Sequence, residues 1–167
     1  MVPSWPVDEG VARGDELVGH GHTNAERQGV LDEAAERALL VQCRERMQSE
    51  SGADVGGWLS PWISESRTTP DLLSETVYSY TLNWCHDDQP LRMRTRDGKG
   101  LWAVPYPQEL NDIPMIVARQ MDGKDFAQMV IDNTDEMLEH YAVTATWDDM
   151  ADTLVADDDE AIRLPRV

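Results

Sequence analysis

Three short clusters carry the residue types that metal coordination and proton transfer use. His20 and His22 flank one glycine and are followed by Thr23 and Asn24. His86, Asp87, Asp88 and Gln89 are consecutive, and Gln108, Glu109, Asn111 and Asp112 crowd a third stretch just after Pro105-Tyr106-Pro107. On an extended segment the two rings of His20 and His22 would point to one side, as metal coordination can use. The pair alone is a weak signal, and one ring bonded inside a turn with the other exposed explains it equally. Extra ligands would have to come from Asp87, Asp88 or Glu109. Adjacent carboxylates such as Asp87 and Asp88 can polarise a water or share a proton, because like charges raise one pKa. They can also simply cap a neighbouring helix. Glu109, Asn111 and Asp112 could be fixed polar groups on a proline-stiffened loop, or an ordinary turn. Trp58, Trp62, Trp84 and Trp102 are many large rings for a chain with one Phe. Beside polar clusters such rings form a platform for a sugar or a planar ureide, while core packing accounts for at least two of them. No phosphate-binding glycine loop and no nucleophile elbow is present in the sequence.

The elements that must position these clusters read as α/β. Residues 15–20 suggest a short strand entering a glycine-flanked turn. The spacing predicts a helix over 31–47, with Leu31, Ala35, Ala38, Leu39, Cys43 and Met47 on one face, a Glu33–Arg37 pair on the other, and Ser51-Gly52 as its stop. Thr69 and Pro70 predict the start of a short helix over about 70–77, with Thr69 as its cap. Residues 80–84 read as a strand, residues 91–105 as a hairpin around Asp97-Gly98-Lys99-Gly100, and residues 124–139 as an amphipathic helix using Phe126, Val130, Met137 and Leu138. The first ten residues, with Pro3, Pro6 and Gly10, read as a loose start. Each predicted strand runs into one of the polar clusters, and in parallel α/β folds sites gather at strand carboxyl ends.

Composition narrows the function classes. The chain has 167 residues, 41% of them apolar, enough for one domain with a core. Lys+Arg is 14 against Asp+Glu 32, a net charge of −18, which opposes approach to nucleic acid or an anionic membrane. Abundant Asp with only two lysines suggests a salt-loving source, where screening relieves self-repulsion. No apolar run approaches the ~18 residues of a membrane span. The absence of a basic start and an apolar h-region suggests a cytoplasmic protein. Cys43 and Cys85 are expected to be two buried thiols rather than a disulfide or zinc site.

The strings GDELVGHGHTNAERQG, GWLSPWISES, TPDLLSE, YTLNWCHDDQP and WAVPYPQELND resemble the polysaccharide deacetylase (NodB-homology) superfamily, and within it the cofactor-independent, allantoinase-like branch. The resemblance runs from about Arg13 to Leu138. It implies a deformed (β/α) barrel with its site at the strand carboxyl ends, and hydrolysis of a non-peptide C–N bond in an N-acetyl sugar or a ureide. In that superfamily an Asp activates water, often on a metal held by one Asp and two His, and a late His is the acid. His20 falls on the first His of the H-x-x-x-H metal motif, but Asn24 stands where the second would be. No cofactor is therefore expected, with a divalent metal on His20 as the unfavoured alternative. The segment from Trp58 to Ser66 occupies the groove-wall motif without its usual arginine, and Trp84 to Asp88 matches the branch's aspartate loop.

The resemblance also implies a strand with an Asp pair before Arg13 and a strand with the acid His after Leu138, and neither aligns. A complete barrel takes about 250 residues. The expectation is thus a partial barrel over 13–139, lacking its first and last strands, with a loose segment over 1–12 and an acidic tail over 140–167. It could be a truncated product, or a chain completed by a second copy or by a complementing chain. The expected roles are catalytic for Asp87, Asp88 and Glu109, and substrate-binding for His20, Asn24, Trp62, Trp84, His86, Asn111 and Asp112. The expected ligand is a small-molecule or oligosaccharide amide. Two other readings stand beside hydrolysis: a degenerate barrel that binds a sugar or ureide without cleaving it, and an interaction protein acting through its acidic tail.

Overall fold

The computed structural model describes residues 7–87 and 89–144. The chain divides into two compact units, residues 1–107 and 108–167. The first holds helix α1 (Val7–Arg13), strand β1 (Val18–Gly19), helix α2 (Glu33–Ser51), strand β2 (Gly57–Trp58), helix α3 (Thr69–Glu75) and strands β3 (Tyr80–Thr81), β4 (Leu91–Met93) and β5 (Leu101–Ala103). The five strands form one sheet in the order β1-β2-β3-β5-β4. β1, β2, β3 and β5 are parallel, and β4 pairs antiparallel to β5 at one end. This is the mixed α/β arrangement of a (β/α) barrel wall. Successive parallel neighbours β1, β2 and β3 are joined through helices, as parallel pairing requires.

The strands are short because their ends are used for other contacts. Gly19, Trp58, Thr81 and Ala103 lie level across the sheet. One step further, Leu59 N donates to Gly19 O, Leu82 N to Trp58 O and Val104 N to Thr81 O, each at 2.9 Å. The chain then turns away at His20, Ser60 and Asn83. Gly19 is required by close approach: a Cβ there would lie 2.5 Å from the Trp58 ring.

The core of this unit is Leu40, Cys43, Val55, Trp58, Leu72, Leu73, Tyr78 and Leu101. Trp58 and Tyr78 meet edge to face at 5.3 Å, and the Tyr78 hydroxyl donates to Leu40 O at 3.0 Å. Helix α2 is capped by Asp32, which accepts from Ala35 N at 2.8 Å, and ends at Gly52 in the left-handed conformation. Its buried residues are Glu36, Leu40 and Cys43; of the expected face, Cys43 is core, Leu39 and Met47 pack against it, and the N-terminal part is displaced by one position. Ala35 and Ala38 are exposed and Leu31 is at the surface. Periodicity placed the apolar stripe there because it scores Glu36 as polar, yet Glu36 is fully buried.

Other expectations also shift. Residues 7–13 form a helix rather than a loose start. Thr69 lies inside the first turn of α3 with Thr68 at the N-cap, and its hydroxyl donates to Glu36. Glu33 and Arg37 do not pair with each other. Arg37 binds Glu75, and Arg96 on the hairpin binds both Glu75 and Glu33, so these charges tie α2, α3 and the β4–β5 turn together. The two guanidinium groups hold the Glu75 carboxyl down to about 2. Cys43 is buried as expected, and burial raises its thiol to about 11, but Cys85 is exposed. The hairpin stands as expected, with Leu91 opposite Ala103 and Met93 opposite Leu101.

The second unit holds a turn at Gln108–Leu110, a π-helical turn at Ile113–Ala118 and helix α4 (Gly123–Thr144). Phe126 and Val130 are half-buried, whereas Met137 and Leu138 are exposed. The acidic tail beyond Thr144 lies outside the described residues, as does Asp88. Among the described residues no helix is long and apolar enough to cross a membrane.

Helix α3 ends on a residue that its backbone does not favour. Val77 has φ 69° and is 60% exposed, while Tyr78 N donates back to Leu73 O at 2.9 Å. Glycine is the usual residue here because a β-branched side chain is strained in the left-handed region. Val77→Gly is expected to stabilise the protein by about 0.5–1 kcal/mol. Urea unfolding checks this, and a variant no more stable than the wild type contradicts it.

Candidate functional site

The carboxyl ends of β1, β2 and β3 bring together most of the expected residues of the first unit. His20 follows β1 and is exposed, and its Nδ1 lies 2.6 Å from Leu59 O at the end of β2. A carbonyl can only accept, so Nδ1 carries the proton, and in the neutral ring Nε2 is left with its lone pair. Gly21 has φ +74°, and a Cβ on it would lie 2.8 Å from Pro61 Cγ. The chain therefore turns at Gly21 instead of staying extended, and the two histidines engage different elements. The Nδ1 of His22 lies 3.7 Å from Cys43 Sγ on α2.

Trp62 and Trp84 are presented in the same manner. Trp62 Nε1 donates to Asn24 O at 2.7 Å, the Arg27 guanidinium lies 5.6 Å from its ring centroid, and the side chain is 62% exposed. Trp84 Nε1 donates to Glu65, its ring stacks on His86 with centroids 5.8 Å apart, and it is 48% exposed. Trp58, by contrast, is core, and Trp102 is half-buried on β5. Trp62 and Ile63 both have positive φ, 60° and 52°. Two successive non-glycine residues in that region are strained, and such strain clusters where a structure over-determines a functional loop.

A chain of buried hydrogen bonds underlies these groups. Glu36 accepts from Gln28 Nε2 at 2.7 Å, from Ser66 Oγ at 2.6 Å and from Thr69. Gln28 Oε1 accepts from Trp58 Nε1 at 3.0 Å, and the same N–H reaches Ser60 Oγ at 3.0 Å. Ser60 N donates to Asn83 Oδ1 at 2.8 Å, and Asn83 Nδ2 donates to Ser60 Oγ at 2.7 Å and to Glu65. Among the described residues no buried side-chain polar atom lacks a partner.

Glu65 is the residue that the sequence reading missed. Burial raises its carboxyl above the usual range, the donors Asn83 and Trp84 pull it back, and Glu36 adds to the rise. The only signal for it was a glutamate inside the Ser64-Glu65-Ser66 run that follows the turn at Pro61–Ile63.

Of the remaining expected residues, Asp87 is exposed in the loop after β3 and Asp88 lies outside the described residues. Glu109, Asn111 and Asp112 belong to the second unit. Asn111 Oδ1 and Asp112 Oδ1 accept from Ile113 N at 3.0 and 2.9 Å, capping the π-helical turn. Glu109 lines an open groove of about 420 Å³ with Asp125, Gln128 and Asp132. Among the described residues no three His, Cys, Asp or Glu side chains could hold a metal together. His20 offers one suitable nitrogen, and the motif's second ring position is occupied by Asn24, whose backbone carbonyl accepts from Trp62 Nε1.

These features define a parallel α/β barrel wall with a loop-built site at its strand carboxyl ends. The chain has the fold of the polysaccharide deacetylase superfamily and is similar to its members. A crystal structure assigned as a polysaccharide deacetylase from Mycobacterium smegmatis matches 65% of this chain at 27% identity and TM-score 0.60. The Puue allantoinase structure matches 80% at 24% identity and TM-score 0.70, and one assigned as a polysaccharide deacetylase from Pseudomonas aeruginosa PAO1 matches 81% at 25% identity and TM-score 0.66. The chain spans 37%, 44% and 45% of those three structures. No family model matches the chain, and no curated protein matches it in sequence.

The turn at Gly21 sets where His20 and Asn24 lie. Gly21→Ala is expected to destabilise the protein by about 1–2 kcal/mol through backbone strain and the contact with Pro61. Thermal unfolding checks this, and an unchanged midpoint contradicts it.

Proposed function

We propose that the strand-end face of the first unit binds a small amide, either an N-acetyl sugar or a ureide, and that the whole protein hydrolyses a non-peptide C–N bond of that ligand. One observation carries the reading: among the described residues, the two exposed tryptophans have their indole N–H tied to protein acceptors, Trp62 to Asn24 O and Trp84 to Glu65, so that what remains on offer is ring face. Ring faces take the C–H face of a sugar or the plane of a ureide, and burial of such a face adds to the affinity. The neighbouring structures, a polysaccharide deacetylase assignment and an allantoinase, fit these two ligand classes.

In this reading His20 Nε2 accepts a hydrogen bond from the ligand, and Arg27 over Trp62 extends the platform with a cation. Asp87 and Asp88 are the proposed carriers of the proton steps, and no step passes through a metal. Hydrolysis adds water across the C–N bond, giving a carboxylate and an amine, so one group must take a proton from water and one must return a proton to nitrogen. A second reading, binding without cleavage, is favoured by Glu65: its oxygens accept from Asn83 and Trp84, so the most deeply buried carboxylate beside the exposed rings serves to hold one of them.

Calorimetric titration of the chain with N,N′-diacetylchitobiose and with allantoin tests the binding claim. Trp62→Ala and Trp84→Ala are each expected to weaken the ligand that binds by roughly two- to tenfold, the equivalent of about 0.5–1.5 kcal/mol. No heat with either ligand overturns the reading. Where one binds, release of acetate or of ring-opened product separates hydrolysis from binding alone.

A further inference from the structure

The environment of Glu65 constrains which side chain can stand there. The amide of Asn83 has a fixed orientation: Oδ1 accepts from the backbone N–H of Ser60 at 2.8 Å, so its NH2 group faces Ser60 Oγ and Glu65. Flipping the amide would put two donors against each other at Ser60 N. Trp84 Nε1 is a donor only. Two donors therefore converge on the side chain of residue 65, one on each oxygen. An ionised carboxylate accepts at both atoms. A glutamine accepts at one and would set its own NH2 against a donor, and a protonated glutamate would do the same with its hydroxyl.

We propose that Glu65 is a positioning residue: as an ionised carboxylate it clamps the Trp84 indole against Asn83 and so aims the exposed Trp84–His86 stack. The clamp follows from the hydrogen bonds alone. That the stack meets a ligand rests on the function proposed above. Clamping an exposed ring through a charged acceptor gives the platform a fixed plane, which lowers the ordering cost of binding. Removing the charge releases the ring while leaving the core untouched, because the Glu36, Gln28 and Trp58 contacts do not include Glu65. The direction in which burial moves this carboxyl brings its protonation closer to neutral pH. The titratable group acting on it is Glu36 on α2, whose charge opposes ionisation of Glu65, while His86 stacks on the Trp84 ring that Glu65 holds.

The test uses the full chain with 15N-labelled indoles, read by two-dimensional NMR. The Trp84 Nε1–H resonance is identified by its loss in Trp84→Phe. In the wild type at pH 7 it is expected far downfield, as a bond to a carboxylate requires, and to move upfield as the pH is lowered to 3 and the carboxyl is protonated. The Trp62 resonance, bonded to a backbone carbonyl, stays in place. In Glu65→Gln at pH 7 the Trp84 resonance is expected already upfield. Glu65→Asp, which keeps two acceptors, restores a pH-dependent shift. A Trp84 resonance that does not move in the wild type between pH 7 and 3, or one unchanged by Glu65→Gln, overturns the proposal. Should Glu65→Gln fail to fold, the same titration in His86→Phe, where the stacked imidazole is gone, decides. Adding diacetylchitobiose or allantoin to the same samples separates the two readings: no shift with either removes the ligand, and the clamp stands or falls on the pH data.

Discussion

A carboxylate without access to water must have its oxygens satisfied by the protein, or it ceases to be an anion. Glu36 is fully buried, and its oxygens accept from Gln28, Ser66 and Thr69. Each of these donors comes from a different stretch of chain: the turn before α2, the loop after β2, and the first turn of α3. Satisfying one side chain thus fixes three segments. Gln28 is held at both ends, giving its NH2 to Glu36 and its carbonyl to Trp58. From Trp58 the bonds continue through Ser60 and Asn83 to Glu65 and Trp84, the last of these at the surface. The orientation of an exposed ring is in this way set by a charge within the core.

This arrangement explains why the paired strands are so short. β1, β2 and β3 each keep only two ladder residues before side-chain bonds take over the backbone. Parallel strands with level ends leave His20, Ser60 and Asn83 side by side, and the loops that follow are held by side chains instead of by pairing. The left-handed backbone of Trp62 and Ile63 fits the same logic, since the turn is strained but pinned by the bond from Trp62 to Asn24 O. The ion network of Arg37, Glu75, Arg96 and Glu33 does a separate task on the other side, joining helices to the hairpin.

Much of the architecture was legible locally. Helix α2, its Gly52 stop, the Pro70 helix start, the glycine hairpin and α4 all follow from periodicity and turn chemistry within a few residues. That His20, Trp84 and His86 stand just beyond strand ends was legible from the parallel α/β pattern. What was not legible depends on distant partners. Glu36 is indistinguishable from a surface glutamate until Ser66 and Thr69, some thirty residues on, are placed beside it, and misreading it displaced the N-terminal part of the inward face of α2. Glu65 has meaning only once the amide of Asn83 is oriented. The Glu33–Arg37 pair was sound helix arithmetic, overridden because Arg96 and Glu75 offer each charge a partner on another element. Cys85 looked buried by residue type, but its loop follows the sheet end and faces outward.

The central claim is that the relay from Glu36 to Asn83 is a rigid base, opening only when the unit unfolds. Hydrogen exchange of the Trp58 indole N–H, which is shared between Gln28 and Ser60, reads this directly. The expected result is exchange through global unfolding alone, with a free energy equal to that from urea unfolding and the same denaturant dependence. Exchange that is fast and independent of denaturant would show local opening, and would contradict the claim that the buried carboxylate holds the site in place.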